Sequence, residues 1–325
     1  MERKPHLRIA VTSKCNYNCK YCRSGGEGVE SETDLTLDEM VTIAKLCFKI
    51  GFRQVKITGG EPLLRHRIQG DIIQLINELK ESGYDDVQMV TNGYYLEEYA
   101  DEIVNSKLDS LTVSLDTPNK YKFNKIVGND SFNQVIRGVK KVARLIPVCF
   151  NSVVFKENKE DTIQLIDLAR ELGVSIKLLD CVEFESEDGL KACSYTDFDF
   201  IYDYMKEKDI TYDFIDAPGG LGTPMRRYPI GSNIYLIVKD ARKGTNYNLN
   251  ACKECPNFPC QDAMISLRVT SNGQLKRCLI RDDNLVDIYP DLKSGQLDLA
   301  KDKIRELYQL FVDSEYYEEK WCTNV

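Results

Sequence analysis

Short apolar runs rich in β-branched residues recur along the first two thirds of the chain, at residues 7–12, 54–58, 87–91, 110–115, 147–154 and 175–179. Runs of this length predict strands buried on both faces. Between them the apolar positions fall at helical spacing. One helix is predicted to begin after Thr36, with Glu39 in capping-box position and Gly51 placed to end it. Another is predicted over 158–173, with Ile163, Ile166 and Ala169 on one face. The repeated βα rhythm predicts an α/β fold with a parallel sheet and right-handed crossovers. Six units can curl into a partial (βα)6 barrel of TIM type; an open doubly wound sheet is the alternative. In either case the site lies at the C-terminal ends of the strands. The informative segments are then 12–26, 58–65, 91–93 and 115–118.

The rhythm breaks after residue 185. Pro218, Gly219, Gly220, Gly222, Pro224, Pro229 and Gly231 crowd the stretch 216–232 and predict a loop or lid. Residues 267–278 read as a short hairpin that returns Cys278 to earlier cysteines, and 297–312 as a charged amphipathic helix. The expected division is a core over 1–185, a connecting segment over 186–245 and a C-terminal module over 246–325.

A chain of 325 residues suits one large domain with an appended module. Its net charge of −8 argues against a general polyanion-binding surface, so no nucleic-acid partner is expected. Nothing resembles the run of about 20 apolar residues that spans a bilayer, and residues 1–7 lack a signal-peptide core. The expected compartment is the cytoplasm. Twelve cysteines are many for that compartment, and they cluster at 15–22 and 252–278. Such clusters point to metal or catalytic sulfur. Cys47 reads instead as a small buried apolar residue.

Cys15-x3-Cys19-x2-Cys22 follows the first predicted strand directly. Three thiolates can converge on a cubane of four irons and leave one iron open for a ligand. Zinc sites usually close with four ligands, so this spacing suits zinc poorly. The motif points to a site-differentiated [4Fe–4S] cluster. Here the chain resembles the radical S-adenosylmethionine (SAM) superfamily, of which this cysteine motif is the signature. Thr58-Gly59-Gly60-Glu61-Pro62, Thr91-Asn92-Gly93 and Ser114-Leu115-Asp116 fall after the second, third and fourth strands, as in that family. The resemblance implies that Gly59, Gly60, Glu61, Pro62, Thr91, Asn92, Ser114, Asn151 and Lys177 bind SAM. The plainer readings are a helix N-terminal carboxylate for Glu61 and a solvated or capping lysine for Lys177. It also implies reductive cleavage of SAM to methionine and a 5′-deoxyadenosyl radical, hydrogen abstraction from a substrate, and an electron donor such as ferredoxin or flavodoxin.

The second group is Cys252-x2-Cys255-x4-Cys260, joined by Cys278. On spacing alone zinc is a real rival; beside a radical SAM core, an auxiliary [4Fe–4S] cluster is the reading. The whole chain resembles the GTP 3′,8-cyclase family of molybdopterin biosynthesis, which carries a short auxiliary-cluster module called twitch. It departs from that family at Lys14, Gln54, Lys56, Cys149, Ser266 and the C-terminal Trp321–Val325, and adds Cys260. Charge is lost at Gln54, Cys149 and Ser266, and a triphosphate needs several cationic donors. The expected substrate is a small polar metabolite with fewer phosphates than GTP or none, undergoing cyclisation, rearrangement or oxidation. Cys149 shares strand parity with Asn151 and faces the same side. It is either a packed thiol or a substrate contact and hydrogen-atom donor. Cys260 either completes the second cluster or leaves it an open iron; Cys322 is the less favoured fourth ligand. The runner-up function is modification of a ribosomal peptide, because Cys260-x12-Gly273-x4-Cys278 fits the first half of a SPASM signature. Against it, only fourteen residues precede Cys15.

Overall fold

The computed structural model describes residues 4–23, 25–181, 194–215, 221–223, 225–247, 252, 255, 260 and 265–317. Six parallel strands stand side by side in chain order: β1 (His6–Ala10), β2 (Gln54–Thr58), β3 (Asp86–Thr91), β4 (Ser110–Ser114), β5 (Val148–Val154) and β6 (Ser175–Asp180). Helices α1 (Leu37–Ile50), α2 (Pro62–Gln69), α3 (Ile72–Glu81), α4 (Ala100–Asn105), α5 (Lys120–Val127), α6 (Phe132–Val142) and α7 (Thr162–Leu172) lie between them in sequence. A doubly wound sheet reverses its strand order at a switch point. This order never reverses, so right-handed crossovers place the helices on one face and the sheet takes the partial-barrel form. Its hydrogen bonds do not close into a ring.

Burial alternates along every one of these strands. Leu7, Ile9, Val55, Ile57, Val87, Met89, Leu111, Val113, Val148, Phe150, Ile176 and Leu178 are buried in one continuous core with the helices. The intervening Arg8, Lys56, Gln88, Thr112, Cys149, Asn151 and Lys177 are only half-buried. The expectation of two equally buried faces is thus corrected. One face packs under helices and the other lines a polar lumen, because side chains alternate with period two.

Thr36 caps α1 with both halves of the capping box, and Gly51 ends it at φ 140°. The predicted 158–173 helix begins with one 3-10 turn over Lys159–Asp161 before α7, and Gly173 closes it at φ 71°. After α8 (Asp199–Glu207), a short β7 (Asp213–Ile215) pairs with β8 (Met225–Gly231), and β8 pairs with β9 (Ile234–Lys239). The predicted loop or lid over 216–232 is therefore wrong for 225–231. Met225 and Tyr228 are buried in that strand, and Pro229 sits at a register shift where a missing N–H is tolerated. Residues 216–220 and 224 of that stretch lie outside the described residues, as do Pro256, Pro259, Trp321 and Cys322.

β9 runs parallel to β6 and extends the sheet on that side. At the other side the predicted hairpin forms as β11 (Ser266–Val269) and β12 (Gln274–Lys276), after the short strand β10 (Thr245–Tyr247). β11 also pairs parallel with β1, Arg268 beside Arg8. The helix Leu297–Val312 forms as predicted and packs Tyr308 edge-on against Phe52. Among the described residues, no helix is long and apolar enough to cross a membrane.

Candidate active site

The loop after β1 carries the three cysteines, and its own tyrosines pin it to the barrel rim. Tyr17 packs edge-on against Tyr94 and Phe123 and shares a 2.5 Å hydrogen bond with Ser131. Tyr21 donates to Asp116 Oδ2 at 2.7 Å. Backbone bonds from Asn18 to Val127 and from Lys20 to Ile126 tie the loop to the end of α5. Cys22 N donates to Cys19 O in the turn that brings these two cysteines round.

The loop after β2 closes on the first loop from below. Gly60 N donates to Thr12 O at 2.7 Å, and Glu61 N to Lys14 O at 2.9 Å. A Cβ on Gly59 would stand 2.5 Å from Thr12 O, and one on Gly60 2.1 Å from Lys14 O. In this structure the glycines are required by contact with the cysteine loop's backbone. Pro62 opens α2 in its first turn. Glu61 caps that helix through Leu63 N, and it also accepts from Thr91 Oγ1 and Asn92 N, both at 2.6 Å. Burial pushes its pKa up to about 7 despite these three donors. Asn92 extends its side-chain amide to Asn16 Oδ1 at 2.9 Å and to Cys15 Sγ at 3.7 Å.

Two adjoining cavities open here. The larger, about 690 Å³, is lined by Cys15, Cys19 and Cys22 together with Lys14, Arg23 and Gly26. The smaller, about 130 Å³, shares the cysteines and Gly60 and adds Glu27, Gly59, Glu61, Thr91, Asn92 and Ser114. Asp116 and Thr58 also line it. Asp116, held up at about 6 by burial, was noticed in the sequence only as the end of a motif. Its bond to Tyr21 is one of the contacts that fix the segment between Cys19 and Cys22. Pro62, Asn151, Lys177 and Cys149 line neither cavity. Asn151 and Lys177 sit in register beside Ser114, and Cys149 one lumen position deeper, paired with Thr112.

The donor set fits an iron–sulfur cluster. Cys15 and Cys22 are exposed and Cys19 half-buried toward one cavity, and Tyr17 N and Asn92 Nδ2 point hydrogen-bond donors at Cys15 Sγ. Desolvation raises all three thiols, Cys22 to about 11, so the positive irons of a cluster would have to draw off the protons. The smaller cavity fits a cationic cofactor group. It presents the buried Glu61 carboxylate and the Thr58 hydroxyl, which has no hydrogen-bond partner among the described residues.

Residues 9–169 match the family described as the Radical SAM superfamily. A probable GTP 3′,8-cyclase of Methanococcus aeolicus is 32% identical over 313 residues, covering 93% of this chain and 95% of the relative. A protein of the same description from Saccharolobus solfataricus is 30% identical over 309 residues, covering 92% and 90%. The chain belongs to the radical SAM superfamily. Membership implies a [4Fe–4S] cluster and SAM, and an enzyme. The fold agrees with that of Streptococcus suis SuiB bound to S-adenosylmethionine, at a TM-score of 0.65 and 17% identity over 96% of this chain and 68% of that one. It agrees as well with anSMEcpe with bound AdoMet, at 0.62 and 16% over 94% and 82%.

Below the radical SAM loops the lumen is cationic, which the sequence alone did not reveal. Arg8, Lys56 and Lys177 share one strand face, and Arg268 joins Arg8 across the β1–β11 pair. Lys56 is held down at about 7, first by desolvation and then by Arg8 and Lys177. Cys149 sits among these groups; burial raises its thiol while Lys177 and Lys56 pull it down. Glu27, on the loop beyond Cys22, bonds Arg8 at 2.5 Å.

The second cysteine group lies around the β11–β12 hairpin. Cys255 N donates to Cys252 O at 3.0 Å, Arg277 lies within the field of both Cys252 and Cys278, and Arg281 beside Cys255. Cys260 is half-buried. Among the described residues no three cysteine, histidine or carboxylate side chains stand close enough to hold a single metal ion; a cubane, whose thiolates each bind a different iron, does not require that.

Proposed function

We propose that this enzyme abstracts a hydrogen atom from a small anionic metabolite held in the barrel lumen. Cys15, Cys19 and Cys22 would hold the cluster, and Gly59, Gly60, Glu61, Thr91, Asn92, Ser114 and Asn151 would surround SAM; Lys177, expected beside SAM, lines neither cavity and is read instead as a substrate contact. When bound, these cofactors supply a reductively generated carbon radical; the chain binds, orients and shields. Glu61 is the group to receive the cofactor's ammonium, and Asn92 ties that carboxylate to a cluster ligand. Ferredoxin or flavodoxin is the class of electron donor, and the cytoplasm the setting. Cys252, Cys255, Cys260 and Cys278 would hold a second [4Fe–4S] cluster.

The observation that carries the substrate class is the unpaired pair of lumen cations. Lys56 and Lys177 have no ion-pair partner among the described residues; they share the lumen face of the sheet, close enough that Lys177 helps to lower the Lys56 pKa. A peptide backbone offers no charge to match them; a phosphate or carboxylate does. A cyclisation, rearrangement or oxidation of such a metabolite is the expected outcome.

Replacing Cys15, Cys19 and Cys22 together with alanine tests the core of this reading. The variant should lose about half of its iron, as two clusters of equal size require, and all release of 5′-deoxyadenosine from SAM and dithionite. Undiminished cleavage of SAM by the triple variant would refute it.

A further inference from the structure

We infer that Glu27 is a built-in counter-ion that limits how many negative charges the substrate can bring into the lumen. The inference rests on the reading of the lumen as the substrate site. Glu27 Oε1 bonds Arg8 at 2.5 Å, and Oε2 stands 3.6 Å from Arg268 Nε. Arg268 is buried, and the side chains of Arg8 and Glu27 are about a quarter exposed or less. At these depths the attraction is little screened. Burial alone would raise the Glu27 pKa, but Arg8 and Arg268 outweigh it and hold it below the usual carboxylate range. Glu27 also lines the smaller cavity and its field reaches Lys56, so it is a resident anion where that cavity meets the arginine side of the lumen.

The backbone aims it there. Gly25 and Gly26 adopt φ of 77° and 62°. A Cβ on Gly26 would stand 2.3 Å from Gly59 O, and one on Gly25 2.5 Å from Glu30 N. Glu27 N then donates to Gly59 O at 3.3 Å. The turn is thus threaded against the loop after β2 and directs the Glu27 side chain down between β1 and β11. On the far side of the hairpin, Asp282 likewise pairs with both Lys276 and Arg23. With Arg8 and Arg268 engaged, Lys56 and Lys177 are left to meet a ligand. A single phosphate or carboxylate satisfies that pair, whereas a polyphosphate extended toward Arg8 meets the Glu27 carboxylate.

A structural partner of Arg8 and a charge limiter of the site predict opposite signs when Glu27 is neutralised. The test is calorimetry on the full-length, anaerobically reconstituted protein, with inorganic phosphate and tripolyphosphate as probes. The wild type should bind the two within about threefold of each other. Glu27→Gln should bind tripolyphosphate at least about tenfold tighter, the effect of freeing two arginines, and phosphate within about threefold of wild type. Weaker or unchanged tripolyphosphate binding by a variant whose circular dichroism and melting match the wild type would overturn the inference. So would a wild type that already prefers tripolyphosphate by tenfold or more. If Glu27→Gln does not fold, Arg8→Gln in the wild-type background reads the same point: it should weaken tripolyphosphate binding by less than about threefold, because Glu27 already occupies that arginine. A tenfold loss would overturn the inference. Release of 5′-deoxyadenosine by the wild type is read separately; its failure would sink the radical chemistry without touching the anion selectivity.

Discussion

Asn92 and Glu61 are joined by a 2.6 Å hydrogen bond from backbone N–H to Oε2. The same asparagine reaches Cys15 Sγ with its side-chain amide. One residue thus connects the carboxylate proposed for the cofactor's ammonium to a proposed ligand of the cluster. Movement of either is felt by the other through a single side chain.

The pH response of SAM binding follows from Glu61. Its folded pKa, about 7, is raised above the ordinary carboxylate value by burial. A cationic ammonium prefers the ionised form, so binding expels the proton wherever the free enzyme still holds it. Affinity for SAM should rise by up to about tenfold per pH unit below pH 7 and pass its maximum as the cofactor's own amino group titrates at about 8. Glu61→Gln should bind SAM weakly and without this slope. Equilibrium binding from about pH 6 to about pH 8 checks it. An unchanged slope in the variant would assign the effect to another group.

Lys56 gives the opposite slope for anions. Desolvation first, then Arg8 and Lys177, hold its pKa at about 7. Above that value it is neutral, and a bound anion must bring a proton with it. Affinity for sulfate, whose own charge is constant near neutrality, should fall as pH rises through about 7. Lys56→Met should remove the dependence. Lys56→Arg should keep tight binding to higher pH, because the guanidinium stays charged. A pH-independent wild type would place the anion elsewhere.

Arg65 holds the two loops of the site together. Its buried guanidinium donates to Val11 O at 2.6 Å and to Leu35 O at 2.9 Å, on the two ends of the cysteine-bearing segment, and pairs with Asp71. Arg65→Met leaves those carbonyls unpaired and the Asp71 carboxylate half-buried without its cation. The loss of stability should be about 3–5 kcal/mol, measured by urea denaturation of the cluster-free protein. A loss under about 1 kcal/mol would show that water replaces the guanidinium freely.

Much of this architecture was legible because it is local. The strand runs at 54–58 and 110–115, the Thr36–Glu39 box and the C-x3-C-x2-C spacing are each written within a few residues; that one face of each strand is polar is the part not read from those runs. The parallel order of β1 to β6 follows from their helix-length separations. What was missed depends on contacts between distant segments. Arg8 and Arg268 are adjacent only because β11 pairs with β1, and no local pattern announces that pairing. Glu27 between glycines looks like a solvated turn until the loop after β2 is seen beneath it. β8 is hidden in the sequence by its prolines and glycines: Met225 and Tyr228 are buried but stand three residues apart, which shows no strand period, and a bulge absorbs Pro229.

The second cluster gives the last prediction. Cys252 and Cys255 share a turn, and Arg277 lies near both Cys252 and Cys278. Cys260 follows at a spacing that lets it reach the same irons, giving four thiolates for four irons. A fully thiolate-bound cluster has no iron free to take an external ligand. Its role is then to pass an electron or to hold the hairpin in place. The Cys15, Cys19 and Cys22 triple alanine variant isolates this cluster. Its reduced electron paramagnetic resonance spectrum should show no coupling to added carbon-13 cyanide. Replacing Cys260 with alanine as well opens one iron, and the coupling should then appear. If cyanide couples before Cys260 is removed, the cluster already has an open iron and Cys260 is not its ligand. That result would return the second cluster to direct contact with the substrate.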